Sequence, residues 1–164
     1  MTRSKFLNFV AKVIWQQVYC MIFLLDFQTV FLYSSFMLNE VTIQKIEPAH
    51  ADKRGLIIDI LEGVPIQHIG LVTFEKGVVR ANHYHKKQTQ YTYLLEGEIK
   101  LVTRKVSGGK TITKITKQVD FISIPPNFIH AYTAIKKSKI IVLTDFSRDY
   151  KSYEEDTFRV QLVK

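Results

Sequence analysis

The chain has 164 residues, 46% of them hydrophobic and 23% charged, and a formal net charge of +8. These values suit one ordinary domain with a packed core and exclude gross disorder. The single cysteine, Cys20, excludes an intramolecular disulfide and any cysteine-based zinc motif. No basic run is dense enough for nucleic-acid binding, so the charge fits a solvated surface or an anionic ligand.

Residues 1–38 read differently from the rest. Phe6, Val10, Val13, Ile14, Val18, Met21 and Ile22 recur at helical spacing and predict a helical, apolar extension. Val18 to Phe36 is apolar but broken by Asp26 and Gln28. A membrane span wants roughly 20 apolar residues, and a central charge costs a few kcal/mol. The segment can be a span or anchor, a signal peptide, or a helix packed on the barrel or a partner. The first choice is a fourth reading, that the natural start is Met37, which opens Met-Leu-Asn-Glu-Val-Thr-Ile. The expected division is therefore 1–38 and 39–164. The expected location is cytoplasmic, with membrane anchoring through residues 1–38 as the alternative.

From Val41 onward short β-type runs alternate with turn signals. Leu56 to Leu61, His68 to Phe74, Tyr91 to Leu95 and Ile99 to Val106 are predicted strands, the last two divided by Glu96-Gly97-Glu98. Ser107-Gly108-Gly109-Lys110 predicts a hairpin turn, because glycine tolerates positive φ. Thr111 to Val119 is β-branched but spaced at three and four, so it is read as a strand that can carry a bulge. Phe121 to Ile124, Ile129 to Ala134, Lys139 to Phe146 and a short strand from Phe158 complete the set. No sustained helical periodicity follows residue 40. The prediction is one all-β domain, a sandwich or barrel.

Five histidines carry the chemistry. His83 and His85 are two apart, so on a strand they share a face. His130 opens another predicted strand, and facing strands would bring all three together. Neutral imidazole suits zinc, iron, nickel, copper and manganese in differing degrees.

Gly77-x5-His83-x-His85-x4-Gln90-x6-Gly97 closely resembles the first motif of the cupin superfamily, and Pro125-x-Asn127-x2-His130 resembles the centre of the second. Asn127 stands where glycine is usual. Val119 and Ala134 replace the motif's leading glycine and final asparagine. The resemblance implies a double-stranded β-helix, or jelly-roll, barrel. It also implies a divalent metal (Zn, Mn, Fe or Ni) on His83, His85, Gln90 and His130, and, by analogy, a homodimer. Gln90 occupies the usual carboxylate position and adds no negative charge, so a metal would be held more weakly, redox chemistry is disfavoured, and a cofactor-free acid–base site gains plausibility beside the metal reading, which stays first.

A narrower resemblance covers residues 48–146. Asp52-Lys53-Arg54-Gly55 looks like the opening segment of dTDP-4-dehydrorhamnose 3,5-epimerases and dTDP-sugar 3,4-ketoisomerases. Arg80-Ala81-Asn82-His83-Tyr84-His85-Lys86-Lys87 is similar to a segment of those ketoisomerases. It also resembles the C-terminal cupin domains of capsular-polysaccharide UDP-sugar reductase/epimerases. The resemblance implies a nucleotide-linked 4-keto sugar as ligand. His83 or His85, near neutral pKa, would move a proton beside the ketone, and Arg80 would meet the diphosphate or sugar oxyanion. Tyr91 and Tyr93 are candidate phenolic acids, both facing inward or neither. Arg54, His50 and His68 are read as structural. The rival readings are a non-enzymatic sensor and a metal-dependent oxygenase or decarboxylase.

Overall fold

The computed structural model describes residues 39–164, so the expectations for 1–38 lie outside the described residues. The strands are β1 (Thr42–Lys45), β2 (His50–Asp52), β3 (Gly55–Ile57), β4 (His68–Phe74), β5 (Val79–Tyr84) and β6 (Gln90–Glu96). They continue as β7 (Glu98–Lys105), β8 (Ile112–Lys117), β9 (Asp120–Ile124), β10 (Phe128–Ala134), β11 (Ser138–Thr144) and β12 (Phe158–Arg159). Helix α1 (Tyr150–Glu155) lies between β11 and β12.

Two five-stranded sheets form, ordered β1-β9-β6-β11-β4 and β12-β5-β10-β7-β8, with β2 and β3 as a separate hairpin. Every pairing is antiparallel. This is the jelly-roll barrel expected from the motifs.

Alternation along the strands builds the core. Phe74, Leu94, Ile99, Leu101, Ile122, Ile124, Phe128, Ile140 and Val142 come from both sheets and pack together. Burying each such side chain is worth about 1.5–3 kcal/mol. A second cluster, with Tyr91, Tyr93, Phe121 and Leu143, is covered by Ile46, Ile58, Ile60, Leu61, Val64 and Ile66. That is why Leu56 to Leu61 is only partly strand. Its apolar side chains serve as a cover, and β3 ends at Ile57.

Two further differences have local causes. Helix α1 forms in a stretch without helical periodicity because Asp149 caps it, its carboxylate accepting from Ser152 N at 3.1 Å. The run Thr111 to Val119 yields strand only to Lys117, since Val119 turns the chain with φ of 69°. That is the position where the cupin motif has glycine, and left-handed backbone there explains the preference. Asn127 likewise has φ of 64°.

Candidate active site

Strands β5 and β10 pair with His83 opposite His130, and the register then shifts through a bulge. Ala81 and Asn82 carry the bulge in left-handed backbone, with φ of 69° and 56°. Asn127 N donates to His85 O at 2.6 Å and ties the second motif to the first. These features bring His83, His85 and His130 together, their ligating atoms within 4.8 Å of one another. The rings of His83 and His85 lie 4.7 Å apart, as do those of His83 and His130.

Two of the imidazoles have their tautomer set by a carbonyl. His85 Nδ1 donates to Asp156 O at 2.7 Å, and His130 Nδ1 donates to Phe128 O at 3.1 Å. In the neutral rings Nε2 is then a lone pair. Nε2 of His83, His85 and His130 is buried with no hydrogen-bond partner. Burial pushes His83 down to about 2, aided by its neighbours His130 and His85, and takes His130 down to about 3. His85 is also lowered by burial, against the opposing pull of Asp156. The expectation of a near-neutral pKa is therefore not met at His83, and at His85 burial works against it. Three dehydrated imidazoles disfavour positive charge.

Unpartnered, convergent imidazole lone pairs fit a divalent cation. Gln90 donates its amide Nε2 to Tyr132 Oη at 3.1 Å, and Tyr132 Oη also shares a hydrogen bond with Thr92 at 3.0 Å. Burial pushes the Tyr132 phenol up to about 12.

His83, Arg80 and Gln90 line a cleft of about 150 Å³ with Phe74, Tyr132, Arg148 and Tyr153. The sequence-predicted residues thus meet at one place, with His85 and His130 buried beside His83. Tyr91 and Tyr93 do not join them. They pack in the second cluster with Phe121, while Gln90 and Thr92 take the inward side of β6. The phenol at the site is Tyr132, two residues beyond His130, and the same i, i+2 rule points to it. Asp156 also lacks any local sequence signal. Its buried carboxylate accepts from Lys86 N, Lys87 N and Gln88 N at 2.9, 3.0 and 3.1 Å. Asn82 holds the C-terminal tail beyond β12, its Oδ1 accepting from Leu162 N and Val163 N at 2.9 Å each. Arg54 instead pairs with Asp52 at 2.6 Å, and His50 bonds the same carboxylate.

The model of the polysaccharide biosynthesis C-terminal domain family matches residues 50–158. The chain belongs to that family. A similar protein is the UDP-2-acetamido-2,6-beta-L-arabino-hexul-4-ose reductase of Pseudomonas aeruginosa, 22% identical over 131 residues, spanning 77% of this chain. The chain covers only 35% of that protein's length. A sugar 3,4-ketoisomerase from Thermoanaerobacterium thermosaccharolyticum, solved in complex with TDP, is similar with TM-score 0.59 and 25% identity. That likeness covers 73% of this chain and 87% of the ketoisomerase. The dTDP-4-dehydrorhamnose 3,5-epimerase of Sulfolobus tokodaii gives TM-score 0.59 at 22% identity, covering 71% of this chain and 74% of that one. This member of the polysaccharide biosynthesis C-terminal domain family thus shares its jelly-roll cupin fold with sugar-nucleotide epimerases and ketoisomerases. Among the described residues no helix is long and apolar enough to cross a membrane.

Proposed function

We propose that the chain is an epimerase or ketoisomerase of a nucleotide-linked 4-keto sugar, acting by proton transfer beside the ketone. The observation that carries this reading is a cleft lined by His83, Arg80, Arg148 and Tyr132 with no carboxylate in its lining. Such a cleft suits an anionic ligand, and the ketoisomerase solved with TDP has the same fold.

His83 is the proposed base because it lines the cleft. With its conjugate acid low, it stands in the neutral, proton-accepting form. As it removes the proton next to the ketone, the electron pair moves to the ketone oxygen and an enediolate forms. That anion raises the imidazole's affinity for the proton in a dry cleft. If the proton of the adjacent hydroxyl passes to the former ketone oxygen and the former carbonyl carbon is reprotonated, the ketone moves to the adjacent carbon and the ketoisomer forms; reprotonation of the original carbon from the opposite face gives the epimer. His85, fixed by the Asp156 carbonyl with the carboxylate 3.9 Å from Nδ1, is proposed to steady the resulting charge. Arg80 would meet the anionic part of the ligand. Tyr132, pushed up to about 12, stays protonated and donates a hydrogen bond rather than a proton.

The three unpartnered Nε2 atoms favour a second reading, in which His83, His85 and His130 hold a divalent metal (Zn, Mn, Fe or Ni) with Gln90 as a neutral fourth group. Bound there, a metal would polarise the ketone oxygen. Metal content after purification, compared with that of His130→Ala, separates the readings. A stoichiometric divalent ion lost in the variant supports the second, and its absence from both supports histidine as base. Solvent deuterium incorporation into dTDP- or UDP-4-keto-6-deoxy sugars tests the reaction itself.

A further inference from the structure

We propose that Arg148 and Arg80 form a two-guanidinium clamp for one diphosphate group over the histidines, which makes Arg148 a substrate-binding residue. The choice of a diphosphate rests on the nucleotide-sugar reading above; the clamp rests on the residues themselves.

The two arginines come to the cleft from different parts of the fold. Arg80 belongs to β5, and Arg148 lies in the link between β11 and α1. Each guanidinium is parked on an aromatic face, Arg80 at 5.5 Å from the Phe74 ring centre and Arg148 at 4.5 Å from that of Tyr153. Stacking of this kind holds the planar fork in place while its edge N–H groups stay free to donate. Arg80 makes one hydrogen bond, from Nε to Thr73 O at 3.2 Å.

Neither arginine has a carboxylate partner among the described residues. Arg54 and Arg159 do, with Asp52 at 2.6 Å and Glu154 at 2.9 Å. Nor does the cleft lining supply one. Two positive charges therefore face one small space without an internal counter-charge, and phosphate oxygens match the guanidinium fork bidentately.

Both arginines line the same cleft as His83. A space of about 150 Å³ admits a sugar ring or a phosphate but not a whole nucleoside. The diphosphate then sits at the rim, where both guanidiniums reach it.

Isothermal titration of the full chain with TDP, UDP and inorganic pyrophosphate tests the clamp, with thymidine as the phosphate-free control. TDP or UDP should bind, and R148Q and R80Q should each weaken binding roughly ten- to a hundredfold, the worth of a charge-assisted hydrogen bond. R148K, which keeps the charge but loses the fork, should fall between wild type and R148Q. R54Q should bind as wild type does. Pyrophosphate binding that depends on Arg148, without TDP or UDP binding, keeps the clamp and overturns the nucleotide-sugar reading. TDP or UDP binding unchanged in R148Q and R148K overturns the clamp and leaves that reading standing. Failure of all three ligands to bind overturns the clamp.

Discussion

At the scale of residues the site is defined by three imidazoles whose buried Nε2 atoms have no hydrogen-bond partner. Removing such groups should cost the chemistry more than the fold. His83→Ala is expected to abolish solvent exchange into substrate while its thermal melt stays near wild type, because His83 lines the cleft. Asp156→Asn is expected to do both kinds of damage. One carboxylate accepts from three backbone N–H groups, and an amide nitrogen placed there cannot. A loss of about 1–3 kcal/mol is expected from the broken buried acceptor, read as a shift in the denaturation midpoint.

The same imidazoles dictate how stability depends on pH. His83 at about 2 and His130 at about 3 in the folded chain compare with about 6.5 for free histidine. The unfolded chain therefore binds more protons below about pH 6.5, and stability is complete above that value. It should fall as pH drops from there towards the folded values. Urea midpoints of metal-free protein measured between pH 7.5 and 4 check this. A midpoint that rises on acidification contradicts the burial of these groups. A divalent ion, if it binds the three lone pairs, should hold the midpoint up until protons displace it.

At the scale of elements the site depends on backbone irregularities. Gly97, between β6 and β7, has φ of 98° and packs against Lys137 O and Ser138, leaving no room for a Cβ. Gly97→Ala should destabilise by about 1–3 kcal/mol through strain and crowding together. An unchanged melting temperature would contradict that geometry. This glycine was legible in the sequence because the motif names it. The histidine pair was legible because β-strand alternation has a fixed period, and the turn at Gly108-Gly109 because glycine tolerates positive φ.

Other parts were not legible, each for a physical reason. Tyr91 and Tyr93 share a face, but strand alternation does not tell which face a strand turns inward. Their neighbours Gln90 and Thr92 are polar, yet they take the inward side because Tyr132 satisfies them there. Asp156 and Arg148 reach the site from the C-terminal segment, far along the chain from the histidines. Their role depends on tertiary closure, for which no local spacing is a signal. Helix α1 rests on a cap rather than on an apolar stripe, so periodicity does not reveal it.

At the scale of the whole molecule, the outer side of β4 leaves Ile69 and Leu71 exposed at 67% and 66%. Leu56 and Ile57 are exposed as well, and apolar surface of this kind is what the homodimer expected from the cupin resemblance would need to cover. Sedimentation of the full chain at micromolar concentration should give twice the monomer mass, and a single monomer species contradicts the dimer.

The central claim is proton transfer beside a ketone in the cleft of His83. Its most direct test is incubation with dTDP- and UDP-4-keto-6-deoxyglucose in deuterated water, followed by proton NMR of the sugar. Loss of the proton signal at a carbon flanking the ketone, in wild type and not in His83→Ala, is the predicted result. Retention of both flanking protons with every donor tried, or equal exchange in the variant, would contradict it.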